Sequence, residues 1–205
     1  MRYFIDTEFI DNGQTIDLIS IGIVCEDGRE LYLQSADFDS SRASQWVHEN
    51  VIERLSMCSH VPSPAYATSV YTNKSFHGNW QGQCTFERRS EDTGVIVGAY
   101  EDCFWRTRDQ LMREVRSFFN PSDGFELWGW CAGYDFVAFC QLFGTMMDLP
   151  AGWPHYIKDL QYELDKRGIS DDELPKQEEG LHNALSDARH MKKLWGYVVR
   201  NDAWQ

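Results

Sequence analysis

At 205 residues with 42% apolar content, the chain can bury one sizeable core and is too short for two full domains. Its formal charge of −13 at pH 7 excludes a broad basic surface, the ordinary source of tight non-specific nucleic-acid binding through counterion release. No apolar run approaches the roughly 18 residues that span a bilayer, and the opening MRYFIDTEFIDNG has no signal-peptide core, so a cytoplasmic protein without a membrane partner is expected.

Taken in chain order, Tyr3–Phe9 reads as a strand, Ile16–Val24 as a second strand of buried β-branched character, and Glu30–Gln34 as a third after the Asp27-Gly28 turn. Together they predict an antiparallel meander. Ser41–Leu55 then places Ala43, Trp46, Val47, Val51 and Leu55 at helical spacing, and Pro62 and Pro64 stop any continuation. From about Ala65 to Phe104 the composition turns to Thr, Ser, Gly, Asn and aromatics, with β-like pieces TSVYT and GVIVGAY; this segment reads as an insertion into a single domain spanning 1–205.

Helical patterning resumes at Thr107, where T-x-x-Q offers a capping box and Leu111, Val115, Phe118 and Phe119 share a face before Pro121. Glu126–Ala132 (ELWGWCA) reads as a strand. A helix over about Tyr134–Met146 is apolar nearly all round, which predicts burial on every side. Ile157–Leu160 is a short strand, Gln161–Arg167 a short helix, and Asn183–Val199 a final amphipathic helix after the acidic run SDDELPKQEEG. Strands first, then strands alternating with helices, predict an α/β fold with a mixed β-sheet flanked by helices.

The cysteines (Cys25, Cys58, Cys84, Cys103, Cys131, Cys140) never form CxxC, so a zinc site is not offered. Cys25, Cys131 and Cys140 lie in apolar segments and are expected as reduced, buried thiols.

The carboxylates carry the sharpest signal. Along Tyr3–Phe9 side chains alternate, so Phe4, Asp6 and Glu8 project together and Tyr3, Ile5 and Thr7 project the other way. Two neighbouring acids on one face imply raised pKa values or a cation between them. In the last helix Ala184, Ala188, Met191, Trp195 and Val198 form a buried stripe that contains Asp187, and Asp135 opens an otherwise apolar helix. Each acid alone has a structural explanation: a helix N-terminus for Asp135, a basic partner for Asp187, a turn cap for Asp6. Four acids that can converge on one point form the set that holds hard divalent cations. His182 lies five residues before Asp187, able to reach the same cleft, and an imidazole is the natural general base near neutral pH.

At these residues the sequence resembles the DEDDh exonuclease superfamily, which includes ribonuclease T, oligoribonuclease and proofreading exonucleases. FIDTEF (Asp6, Glu8), GWCAGYDFVAF (Asp135) and HNALSDA (His182, Asp187) correspond to its three motifs. The closest resemblance is to the mycobacterial-type exoribonuclease group, through D-T-E-F, Trp46-Val47, a tryptophan-rich strand before YD, and H-N-A-L-x-D-A-R.

That resemblance implies a ribonuclease H-like fold, two Mg2+ or Mn2+ ions held by Asp6, Glu8, Asp135 and Asp187, and His182 as base. It also implies hydrolysis from a single-stranded 3′ end, with Thr7, Glu8 and Phe9 as substrate contacts, and assembly as a homodimer. An exoribonuclease is expected. A DNA-preferring exonuclease and a catalytically idle nucleic-acid or protein binding module on the same fold are the alternatives. The aromatics and the cations Lys74, Arg88 and Arg89 of the 65–104 segment suit single-stranded bases, a covered sheet edge or a dimer interface equally.

Overall fold

The computed structural model describes residues 1–56, 104–120 and 124–202, the last four of these in backbone only. The expected β-like pieces of the 65–104 segment, and Cys58, Cys84 and Cys103, lie outside the described residues. Three long strands open the chain: β1 (Arg2–Asp11), β2 (Ile16–Cys25) and β3 (Glu30–Ser35). They pair antiparallel in sequence order, the expected meander. Strands β4 (Trp105–Arg106), β5 (Glu126–Gly129) and β6 (Lys158–Asp159) join parallel at the two flanks, giving the order β4-β3-β2-β1-β5-β6 among the described residues.

Five helices are described: α1 (Gln45–Asn50), α2 (Arg108–Phe118), α3 (Gly133–Phe143), α4 (Leu160–Arg167) and α5 (Ala184–Asp202). With the mixed sheet they make an α/β architecture consistent with a ribonuclease H-like fold. Among the described residues no helix is long and apolar enough to cross a membrane.

The alternation of β1 sorts its side chains between two layers. Tyr3 and Ile5 join Ile21, Ile23, Leu111, Val115, Phe119 and Phe139 in the core under α2 and α3. Phe4 faces the opposite layer, with Trp128 of β5 and Leu160, Leu164, Met191 and Val198 of α4 and α5. Further along that second face, Ile10 packs with Ile19, Val51, Ile52 and Trp105. Asp6 and Glu8 fall between these two apolar clusters.

A bulge at Glu8/Phe9 leaves Ile19 as the extra residue of β2, because Glu8 pairs with Ser20 and Phe9 with Leu18. That extra residue shifts the alternation of β2 by one: Leu18 joins Ile21 and Ile23 in one layer while Ile19 joins Ile10 in the other.

Several boundaries differ from expectation. Ser41–Leu55 is broken into a 3-10 turn at Ser40–Arg42, the short α1, and a second 3-10 turn at Ile52–Arg54. Asp39 and Ser44 each cap a backbone N–H there, and the Asn50 amide donates to the Trp46 carbonyl at 2.9 Å, so side chains compete with a continuous helix. Trp46, at helical spacing with Ala43, Val47, Val51 and Leu55, is exposed. The α2 capping box is present as read, with Thr107 and Gln110 reciprocally bonded. Helix α3 is not buried all round, since Tyr134 and Val137 are exposed while Ala138, Phe139 and Leu142 face the core. Strand β5 ends at Gly129, and Cys131 is exposed in a left-handed turn (φ 49°) rather than buried; Cys25 and Cys140 are buried and free.

Candidate metal centre and cleft

Asp6 and Glu8 lie on one face of β1, and the first turn of α5 brings Asp187 to them, so that one carboxylate oxygen from each lies within 4.8 Å of the others. Gly22 makes this approach possible. It pairs with Asp6 across the β1–β2 ladder, and a Cβ at Gly22 would fall far inside contact distance of the Ala184 carbonyl and the Leu185 nitrogen. The helix backbone therefore rests directly on the strand backbone. A lone glycine in a β-branched run is the signal in the sequence for such an approach.

Asp135 stands beside the trio rather than within it. Its Oδ1 accepts from the Thr7 N–H at 2.8 Å and the Thr7 hydroxyl at 2.6 Å. Pairing of β1 with β5 ends at Phe4/Trp128, which leaves the Thr7 N–H without a strand partner on that side and open to this carboxylate. Thr7 is thus buried against Asp135. Phe9 lies with its ring 5.7 Å from that of the exposed Tyr134.

Asp159, to which the sequence reading gave no role, sets the start of α3. It accepts from the Cys131 and Ala132 N–H groups as well as from Gln161 and Tyr162 at the start of α4. One carboxylate so ties together the two turns behind Asp135.

A cleft of about 500 Å³ opens over the site, lined by Asp6, Trp130, Gln177, His182, Asp187 and His190 among others. Gln177 donates to Asp187 Oδ1 at 2.6 Å, and this was not legible in the acidic run that holds it. His182 has a left-handed backbone (φ 62°), and its ring meets Trp46 edge to face at 4.8 Å. His190 also reaches the cleft; burial and then Lys193 hold its imidazole below the ordinary value.

The electrostatics follow from burial of like charges. Burial, then Asp135, Asp187 and Glu8, hold the Asp6 carboxyl well above the ordinary range. Burial, then Asp187 and Asp135, push Glu8 up to about 8. Asp135 is pushed up to about 6 by burial, against the two Thr7 bonds. Burial also raises Asp187, opposed by the Gln177 amide and the nearby His182. Such a set is costly when ionised alone and suits a hard divalent cation, its donors all being oxygens.

The sign of the resulting pH dependence is fixed. A carboxyl whose folded pKa is raised leaves the folded state holding more protons than the unfolded one between the two values, so stability falls as pH rises through that window. For Glu8 the window runs from the ordinary 4.5 to about 8. Thermal melts in chelator should therefore fall steadily from pH 5 to pH 8, Glu8→Gln should fall less, and a divalent cation should lift the alkaline end most. A melting temperature that rises across this range would remove the like-charge account.

The family model described as the 3′-5′ exoribonuclease Rv2179c-like domain matches residues 1–199. The chain is 34% identical over 204 residues to the 3′-5′ exoribonuclease Rv2179c of Mycobacterium tuberculosis H37Rv, and equally so to the 3′-5′ exoribonuclease MT2234.1 of strain CDC 1551. Each match covers 98% of this chain and 95% of the relative.

Proposed function

The chain belongs to the Rv2179c-like 3′-5′ exoribonuclease family, and from that premise we propose that it removes nucleotides from single-stranded RNA 3′ ends by metal-dependent hydrolysis at the Asp6/Glu8/Asp187 cleft. The observation that carries the reading is the convergence of these three carboxylates within 4.8 Å, in a layer otherwise apolar on both sides. Asp6, Glu8, Asp135 and Asp187 are the proposed holders of two Mg2+ or Mn2+ ions. Bound there, the ions supply the positive charge that stabilises the attacking and leaving oxygens of an in-line phosphodiester displacement.

The chain's own residues do the rest. Asp6, Glu8 and Asp187 present their oxygens from backbone that the sheet and the α5 contact hold rigid, which costs little reorganisation at reaction. Asp135, beside the trio, is the proposed fourth ligand through the oxygen that Thr7 leaves free, and Thr7, whose hydroxyl and N–H both go to Asp135, acts on substrate through it. His182 takes the proton of the attacking water. Glu8 and Phe9 lie beside the place of the terminal nucleotide. The whole 1–205 chain is read as one exonuclease domain, with an insertion at about 65–104.

Assembly as a homodimer and a cytoplasmic place belong to the same reading. Exposed Tyr134, Val137, Met146 and Met147 support the former, and the free, buried Cys25 and Cys140 fit the latter. Sedimentation as a monomer would remove the dimer, and cell fractionation tests the compartment.

The test is a time course on 5′-labelled single-stranded RNA and its DNA equivalent, each with Mg2+, Mn2+ or chelator. A ladder that shortens one nucleotide at a time from the 3′ end of RNA, and stops in chelator, is expected. A ladder on DNA alone would reassign the substrate. Labelled strand bound but uncut under every metal would make the protein a binding module.

A further inference from the structure

The turn that carries His182 is held from β3, two strands from β1 on the same face of the sheet. A non-glycine residue at positive φ costs about 1 kcal/mol or more and persists where its surroundings over-determine it. Asn183 is the residue that fixes it. Its N–H donates to the Gly180 carbonyl at 3.2 Å, and its Oδ1 accepts from the Ser186 N–H at 3.1 Å, capping α5. Its carbonyl accepts from the Asp187 N–H at 2.9 Å, and its Nδ2 amide donates to the Tyr32 hydroxyl at 3.3 Å.

Tyr32 extends from β3 and is itself anchored. Its hydroxyl donates to Gln34 Oε1 at 3.2 Å, and Gln34 clamps both the N–H and the carbonyl of Ser56. Gln34 is fully buried and Tyr32 nearly so. A satisfied buried polar chain of this kind selects one geometry over its neighbours.

We propose that Tyr32 is a positioning residue for the exonuclease reaction: its hydroxyl fixes Asn183, and Asn183 fixes the place of the His182 imidazole. The proposal rests on the assignment of His182 as the base. The ring of Tyr32 has a separate task, packing against Phe104 at 5.1 Å, and phenylalanine would preserve it. That substitution removes the hydroxyl's links to Asn183 and to Gln34, whose Oε1 keeps the Ser56 N–H.

The experiment uses the full chain with Mg2+ or Mn2+ and labelled RNA. Tyr32→Phe should lower kcat about tenfold, because small displacements of a reacting group cost large factors in rate. KM, cation half-saturation and Tm should stay near wild type, a split that general loosening of the fold would not give. Asn183→Ser, which keeps a capping oxygen and loses the amide, should match it, and the double variant should be no slower than the slower single one.

In a His182→Ala background Tyr32→Phe should cost nothing further. A wild-type kcat in Tyr32→Phe beside an impaired His182→Ala overturns this proposal alone. Full turnover by His182→Ala overturns the base assignment and this proposal with it. An undiminished Tyr32→Phe loss on top of an impaired His182→Ala leaves the base assignment standing and shows the tyrosine acting elsewhere.

Discussion

Gly22→Ala is expected to dislodge the start of α5 and to take the cation site with it. Two effects of the added methyl oppose each other. Alanine limits the unfolded chain more than glycine and should stabilise a strand by about 0.4–1 kcal/mol. Against that, the new Cβ collides with the Ala184 carbonyl and the Leu185 nitrogen, which are backbone and cannot swing aside. Overpacking of this kind costs about 1–3 kcal/mol where side chains can yield, and more where they cannot. The clash wins.

A net loss near 3 kcal/mol corresponds to a fall in Tm of about 6–12 °C for a domain of this size. Because Asp187 rides on the displaced turn while Asp6 pairs with Gly22 itself, the rise in Tm produced by Mn2+ should shrink as well. Melts of Gly22→Ala with chelator and with Mn2+ check both. A variant with wild-type Tm and an intact cation response would mean that the helix can slide on the sheet without cost.

Asp6→Asn should change stability and activity in opposite directions. Without cations, Asp6 is a buried acid crowded by three others, so replacing it by a neutral isostere removes repulsion. In chelator at pH 8 the variant is expected to melt above wild type. It should gain little from Mn2+ and lose at least ~10³-fold in kcat, since the charge supplied by bound cations is worth several kcal/mol to the reaction.

His182→Ala separates the two tasks. It should keep the Mn2+ response and lose roughly 10²- to 10⁴-fold in kcat, the usual range for a general base. Retention of both activity and cation response in Asp6→Asn would exclude Asp6 as a ligand.

Much of this was legible in the residues because the signals were local. The alternation that sorts Phe4, Asp6 and Glu8 from Tyr3, Ile5 and Thr7 depends only on strand geometry, and the two layers honour it. The T-x-x-Q box at Thr107 needs four consecutive residues and appears as read. The Ala184/Ala188/Met191/Trp195/Val198 stripe, with Asp187 within it, follows helical spacing alone, and only Trp195 of the stripe is partly rather than fully buried.

What was missed depends on distant partners. Gln177 bonds Asp187 across ten residues, and Tyr32 reaches Asn183 across 151, and no periodicity encodes either. The run YDFVAF reads as buried on all sides because apolar content does not say how many neighbours a helix will have; α3 leaves Tyr134 and Val137 uncovered. Asp159 looked like one more acid in an acidic chain, and only the meeting of two turns gives it four N–H partners.

The Gln34 side chain has a consequence for how this chain can vary. It grips Ser56 through both amide atoms, while its own N–H donates to the Phe104 carbonyl and the Trp105 indole donates to the Ser56 carbonyl. The residues that precede and follow positions 57–103 are thereby sewn together at one buried point. The stitch makes this the place where the chain can accept new length while the distances among Asp6, Glu8 and Asp187 stay as they are.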